Sequence, residues 1–162
     1  MDLIEFEGEQ YPAFQATGNA ARFTLPFAKE FCHGEGYDIG CGKKEWALPG
    51  AIPVDLTIDD GYDATHLPDT KVDYIFSSHC LEHLDDWVRV IEYWSAKIKD
   101  GGILYLYLPD YSQEYWRPWN NTKHKNIMDA DQIADLLMHL GYERVVYQSC
   151  DMNNSFTVVG EK

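Results

Sequence analysis

The sequence predicts an α/β fold built on an open, mostly parallel sheet, and three observations carry that expectation. First, Tyr37-Asp38-Ile39-Gly40-Cys41-Gly42 is a short apolar run entering a glycine-framed turn, with an acidic residue two places before the first glycine. Small residues there let backbone approach a ligand where a side chain would block it. Second, Val54-Asp55, Tyr62-Asp63-Ala64 and Val72-Asp73-Tyr74-Ile75-Phe76-Ser77-Ser78 follow at regular intervals, each β-like run closing on an acidic or small polar residue. An open α/β sheet presents ligand groups at its carboxyl edge in this way. Third, helix-patterned segments separate the later strand-like runs.

Composition narrows the class. At 162 residues and 45% hydrophobic, the chain is sized for one domain with one substantial core. Residues 1–35 read as an N-terminal arm and helix, and residues 36–160 as the core. No apolar run is long enough to span a bilayer, so no membrane partner is expected. The acidic start Met1-Asp2-Leu3-Ile4-Glu5 shows no basic signal-peptide region, which points to the cytoplasm. A formal net charge of −14 disfavours long contact with nucleic acid, though not a small nucleotide-like ligand held by backbone amides. Cys32, Cys41, Cys80 and Cys150 form no C-x-x-C pair and read as free thiols in a reducing compartment.

The elements follow in order. Residues 1 to about 18 read as an irregular arm ending at Thr17-Gly18-Asn19. Phe23, Phe27 and Phe31 predict a helix with one aromatic face, with Pro26 in its first turn or at a kink. A strand over Gly36–Gly40 comes next. Leu84, Trp87, Val88, Ile91, Trp94 and Ile98 mark a helix with Asp85 and Asp86 in its first turn, Lys97 and Lys99 in its last, and Gly101-Gly102 as its stop. Ile103–Leu108 is a buried-type strand closed by Pro109. Asp129 with Gln132 forms a capping box opening a helix that buries Ile133, Leu136, Leu137 and Leu140 and ends at Gly141. Tyr142–Ser149 and Ser155–Val159 are spaced to pair as an antiparallel hairpin at one edge.

Two connections are too short for the usual crossover. Parallel neighbours need roughly a dozen linking residues, usually helical. Lys43–Gly50 and Asp55–Ala64 allow a turn or two at most. One flank of the sheet should lack helical cover and be shielded by the arm or by another subunit, which makes a homodimer through that flank an expectation.

The ordered series Asp38-Ile39-Gly40-Cys41-Gly42, Val54-Asp55, Asp63-Ala64-Thr65-His66-Leu67-Pro68, Val72 through Leu84 and Ile98-Lys99-Asp100-Gly101-Gly102 resembles the class I S-adenosylmethionine (SAM) methyltransferases, in particular the small type 11 subgroup. The resemblance covers residues 36–160. It implies a Rossmann-like sheet of seven strands with the last antiparallel, reduced helices after the first two strands, and SAM as methyl donor to a small-molecule or sugar-type acceptor. The third glycine of the family's first motif is absent; its place lies near Glu45. By this resemblance Asp38, Gly40, Cys41, Gly42, Asp55, Leu56, Asp63, Ala64, Ser78 and His79 form the cofactor site. Gly40-Cys41-Gly42 pass beside the methionine part and Asp55 accepts from the ribose hydroxyls. Leu56 lies against adenine, and Asp63 with the Ala64 amide reads its edge.

His79 and His124 are candidate bases for a hydroxyl acceptor, because imidazole titrates near neutrality. Asp110–Asn121 is a loop longer than packing requires, and Tyr111, Trp116 and Trp119 in it suit an acceptor sugar or aromatic ring, or an amine held by cation–π attraction. The alternative is that Trp116 and Trp119 cover the bare sheet flank. His79-Cys80-Leu81-Glu82-His83 also fits H-x-x-E-H, a zinc-hydrolase spacing. That chemistry needs a third ligand which spacing does not identify, and a strand end in a nucleotide-binding pattern is the wrong context. No metal is therefore assigned, and Glu82 and His83 are expected to cap or brace the following helix. Two other classes fit parts of the pattern: an NAD-type Rossmann enzyme, opposed by the missing glycine, and a non-catalytic SAM-binding subunit that stabilises a partner.

Overall fold

Near-continuous apolar runs become strands here because successive residues meet packed faces on opposite sides of the sheet, so Gly36–Ile39 is buried throughout. The computed structural model describes residues 2–6, 9–13, 19–58 and 61–162. Strands β1 (Leu3–Phe6) and β2 (Glu9–Pro12) pair as a separate antiparallel hairpin, so part of the expected irregular arm is ordered. Thr17 and Gly18 lie outside the described residues. The main body runs α1 (Ala21–Phe31), β3 (Gly36–Ile39), β4 (Ile52–Val54), β5 (Val72–Ser78), α2 (Trp87–Lys97), β6 (Ile98–Pro109), α3 (Ala130–His139), β7 (Arg144–Gln148) and β8 (Ser155–Glu161).

These strands form one sheet in the order β4-β3-β5-β6-β8-β7. The first four are parallel, and β8 lies antiparallel to both β6 and β7. Among the described residues the sheet thus has six strands where seven were expected. The missing one is Tyr62-Asp63-Ala64, reduced to a bridge between Asp63 and His66. Asp63 Oδ1 accepts from the Thr65 amide at 2.6 Å and the Thr65 hydroxyl at 2.7 Å, and this turn bends the chain before a ladder can form.

On one face Ile39, Val54, Ile75, Leu104 and Leu106 pack against Ile91 and Trp94 of α2 and Ile133 and Leu137 of α3. On the other, Tyr74, Phe76, Tyr105 and Tyr107 alternate with those residues and meet Ala20, Ala28 and Leu48. The inward side of α1 is small: Thr24 and Ala28 are buried, and the Thr24 hydroxyl bonds that of Tyr105 at 2.6 Å. The Phe23-Phe27-Phe31 stripe instead rims an open depression of about 730 Å³ that also exposes Val146 and Tyr147; it lies over β6, β8 and β7, at the other end of the sheet from β3 and β4, where the short connections are. Pro26 sits at the sixth position of α1, past its first turn.

Between Gly42 and β4 there is one short turn, Lys44–Trp46, as the residue count required. Helix α2 opens on the Asp86 side chain, which accepts from the Arg89 amide. It ends at Lys97, before the glycines, because Ile98 is already paired with Val72. No helix among the described residues is long and apolar enough to cross a membrane.

The capping box of α3 is complete: Asp129 accepts from the Gln132 amide at 2.8 Å and Gln132 accepts in return from the Asp129 amide at 3.3 Å. Asp129→Ala should lower unfolding free energy by about 1 kcal/mol in urea titration, and Asp129→Ser should recover most of it. Equal losses in both variants would remove the cap from the account.

Candidate functional site

Strands β3, β4 and β5 end side by side, so Gly40, Asp55 and Ser78 emerge at one edge of the sheet. Gly40 has φ +82, and a Cβ on it would lie 2.3 Å from that of Cys80. The glycine is demanded by this packing as well as by its backbone. Gly42, at φ +73, donates its amide to Asp55 Oδ2 at 2.8 Å. Asp55 Oδ1 accepts from the Thr57 amide at 2.9 Å, and the Thr57 hydroxyl donates to the Gly42 carbonyl at 2.6 Å. Asp55 is therefore a fixed, half-buried carboxylate clamped to the glycine turn, with lone pairs left for further donors.

The other residues expected around the cofactor fall into two groups. Leu56 is 87% exposed at the same edge, an unusual position for leucine. Asp63 is half-buried, its hydrogen bonds with Thr65 holding it below the usual carboxylate range, and the Ala64 carbonyl accepts from the Trp94 indole at 2.7 Å. Ser78 is buried, and its hydroxyl has no hydrogen-bond partner among the described residues. Asp38 and Cys41, by contrast, are sealed inward. Asp38 Oδ2 accepts from the Leu48 amide at 2.7 Å beneath the turn, and burial pushes its carboxyl up to about 7. Burial likewise raises the Cys41 thiol to about 12.

His79 takes φ +48, rare for a residue with a side chain, and this turns its ring under the loop. Its Nε2 is 2.9 Å from the Ser155 hydroxyl, and its ring stands edge-on to Trp116 at 4.6 Å. Trp116 is buried, and its carbonyl accepts from Nδ1 of His124 at 2.7 Å. Burial lowers His79 to about 3 and His124 to about 4, which makes both weak proton acceptors. Tyr111 and Trp119 are exposed and lie apart from this cluster, with Arg117 over both rings at 4.6 and 5.9 Å. Tyr111, Trp116, Arg117 and His124 share a small cleft of about 20 Å³, room for about one water. The five expected acceptor residues thus form a buried trio and an exposed pair joined by Arg117.

Glu82 was not singled out as a site residue, yet it is the centre of the buried cluster. Its carboxyl, 1% exposed, caps no helix, because Asp86 performs that task for α2. Its oxygens have no hydrogen-bond partner among the described residues. The Glu82 backbone carbonyl accepts from the Lys125 amide at 2.7 Å, and the Asn126 side chain donates to the Leu84 carbonyl, so this turn braces the 111–128 loop. His83 does the same, its Nδ1 meeting the Lys123 carbonyl at 2.8 Å. The H-x-x-E-H spacing was the sequence signal for this cluster.

The fold and this edge define a nucleotide-type α/β site. A family model described as a methyltransferase domain matches residues 16–148. No curated protein matches the sequence. Among solved structures, the chain is similar to a SAM-dependent methyltransferase from Archaeoglobus fulgidus (17% identity, TM-score 0.63, 91% of this chain and 94% of that one). It is also similar to a SAM-dependent methyltransferase from Thermotoga maritima (17% identity, TM-score 0.68, 93% of each chain). A third is the 1,6-didemethyltoxoflavin N1-methyltransferase of Burkholderia thailandensis, solved with that compound and S-adenosylhomocysteine (15% identity, TM-score 0.68, 91% and 80%). The chain belongs to the methyltransferase-domain family, and it is a SAM-dependent methyltransferase with the class I fold. Its residues fit that cofactor: an orphaned Ser78 hydroxyl, an exposed Leu56 and a fixed Asp55 carboxylate line one edge.

Asp38 gives a pH signature. Folding raises its carboxyl from 3.8 to about 7, so its stabilising contribution is full below 3.8 and is lost as pH rises through 7. Asp38→Asn keeps an oxygen for the Leu48 amide and removes the proton linkage. Relative to the parent chain, its Tm should climb progressively from about pH 4 to about pH 7. A Tm difference constant across that window would show that Asp38 does not titrate there.

Proposed function

We propose that the enzyme methylates a small, hydroxylated, ring-shaped acceptor that docks against the Tyr111-Arg117-Trp119 ledge, beneath which the loop covers the His79–Trp116–His124 cluster. The observation that carries this reading is the Arg117 guanidinium lying over both aromatic rings. A cation already occupies those faces, which disfavours an amine held there by cation–π attraction and favours a hydroxylated or anionic ring that Arg117 can donate to.

SAM supplies an electrophilic methyl group on a sulfonium. The chain's residues bind, orient and exclude water. In this reading Asp55 receives the ribose hydroxyls, Leu56 covers an adenine face, and Asp63 with Ala64 borders its edge. Gly40, Cys41 and Gly42 give backbone access to the methionine part, and the Ser78 hydroxyl finds its partner there. Asp38 acts through the turn it braces. Trp116, buried over His79, keeps solvent from the reacting edge, and a cleft with room for about one water requires the 111–128 loop to lift for acceptor entry.

Asp55→Asn should weaken SAM binding by about 1–3 kcal/mol in calorimetry, because a charged acceptor for the ribose becomes neutral. Unchanged affinity in a folded variant would remove Asp55 from the site. Trp119→Ala should leave SAM affinity unaltered while lowering turnover with an accepted compound, found by mass spectrometry across hydroxylated aromatics and sugars. Undiminished turnover in Trp119→Ala would overturn the ledge as acceptor site.

A further inference from the structure

Three imidazoles from two segments converge on a single buried carboxylate. Glu82 Oε1 lies 3.7 Å from His83 Nε2, 4.0 Å from His124 Nε2 and 3.8 Å from His79 Nδ1. The donor atoms of Glu82, His83 and His124 all lie within 4.8 Å of one another. Ligands bound at about 2 Å around a tetrahedral ion stand about 3.3 Å apart, so the set closes when His83 moves in by about 0.4 Å, His124 by about 0.7 Å and the widest pair by at most about 1.5 Å.

The hydrogen bonds on the far side of each ring fix what faces inward. His83 Nδ1 meets the Lys123 carbonyl and His124 Nδ1 meets the Trp116 carbonyl. Carbonyls only accept, so both protons sit on Nδ1 and both Nε2 atoms present bare lone pairs to Glu82. His79 follows the same logic. The Ser155 hydroxyl donates to the Asn153 carbonyl, so it accepts from His79 Nε2 and leaves Nδ1 bare. Three lone pairs therefore point at a carboxylate whose two oxygens have no hydrogen-bond partner among the described residues. One proton on Glu82 satisfies one of these contacts and leaves the rest repulsive. A cation satisfies all of them, and outward bonds from ligand rings to carbonyls are the usual support of metal-bound histidine.

We infer that Glu82, His83 and His124 bind a divalent transition-metal ion through two imidazoles and one carboxylate, with His79 flanking it and an open position facing the cleft beside Tyr111 and Trp116. Nitrogen-rich donors select zinc, cobalt or iron over magnesium and calcium. The cleft has room for about one water, which suits an exchangeable oxygen ligand. The ion's catalytic role rests on the acceptor pocket proposed above; the binding itself does not. In that role a coordinated acceptor hydroxyl releases its proton to solvent. Its oxygen forms the bond to the methyl carbon, and the S–C pair returns to sulfur as a thioether.

The test uses the full chain after chelator treatment and dialysis, without SAM or acceptor, titrated with cobalt(II) and zinc(II). One equivalent of cobalt should bind with visible d–d absorption, zinc should displace it, and zinc should raise Tm, while magnesium does neither. His83→Ala, His124→Ala and Glu82→Gln should each weaken binding by at least about tenfold. The half-exposed His83 makes the first of these the variant safest for folding, and Glu82→Gln should in addition keep or raise Tm without metal. His33→Ala and His139→Ala should bind as the parent does. Absence of stoichiometric cobalt binding, or binding that survives His83→Ala and His124→Ala unchanged, would overturn the site. Where the metal binds as stated, turnover that chelation leaves untouched would overturn the activating role alone.

Discussion

The site depends first on how the chain returns from β3 to β4 without a crossover helix. Only Lys43–Gly50 separates the glycine turn from the next strand region, and the Asp38 carboxyl holds that link from below through the Leu48 amide. Leu48, 2% exposed, then plugs the aromatic side of the core. With the link pinned, β4 pairs with β3 in a register that sets Asp55 against the Gly42 amide. A longer, looser connection would free the carboxylate from the turn, and with it the geometry of the cofactor edge.

The open depression lies at the far end of the sheet, over β6, β8 and β7, and has its own cause. There α1 meets the aromatic face with alanine and threonine, because the large rings of Tyr74, Phe76, Tyr105 and Tyr107 already fill the space. The phenylalanines of α1 are displaced to the rim. Periodicity alone located that helix and its aromatic face but not which stripe is buried, since a stripe of small residues carries little hydropathy signal. Topology was legible for a related reason. Parallel order, capping box and terminal hairpin rest on local chemistry that spacing encodes, whereas the loss of the Asp63 strand came from a side-chain turn whose competition with sheet pairing no pattern reveals.

Cofactor and loop chemistry are mechanically joined at the turn after β5. Ser78 closes β5 at the carboxyl edge of the sheet with a hydroxyl that has no hydrogen-bond partner among the described residues, while His79, Glu82 and His83 face the loop. The left-handed backbone at His79 makes this division, reversing the direction in which consecutive side chains project. Because the Glu82 carbonyl and His83 ring both hold residues 123–126, any lifting of the loop would also loosen the ring of histidines. Under the proposed function, acceptor entry would thus be coupled to the polarity of the histidine cluster by covalent neighbours rather than by a distant relay.

The five letters H-x-x-E-H show where spacing stops informing. In the metal-hydrolase form they lie on a helix, which stacks the two histidines a turn apart and leaves the glutamate to act as base. Here residues 81–83 form a tight three-residue turn preceded by a left-handed residue, and the glutamate becomes the centre toward which the histidines point. The remaining imidazole comes from His124, on an irregular loop whose offset follows no periodic rule. Its placement is set by the Trp116 carbonyl and by the brace at Lys125 and Asn126, contacts between segments distant in sequence. Identical spacing on a different backbone therefore gives a different arrangement, and tertiary contacts alone bring the third imidazole to the carboxylate.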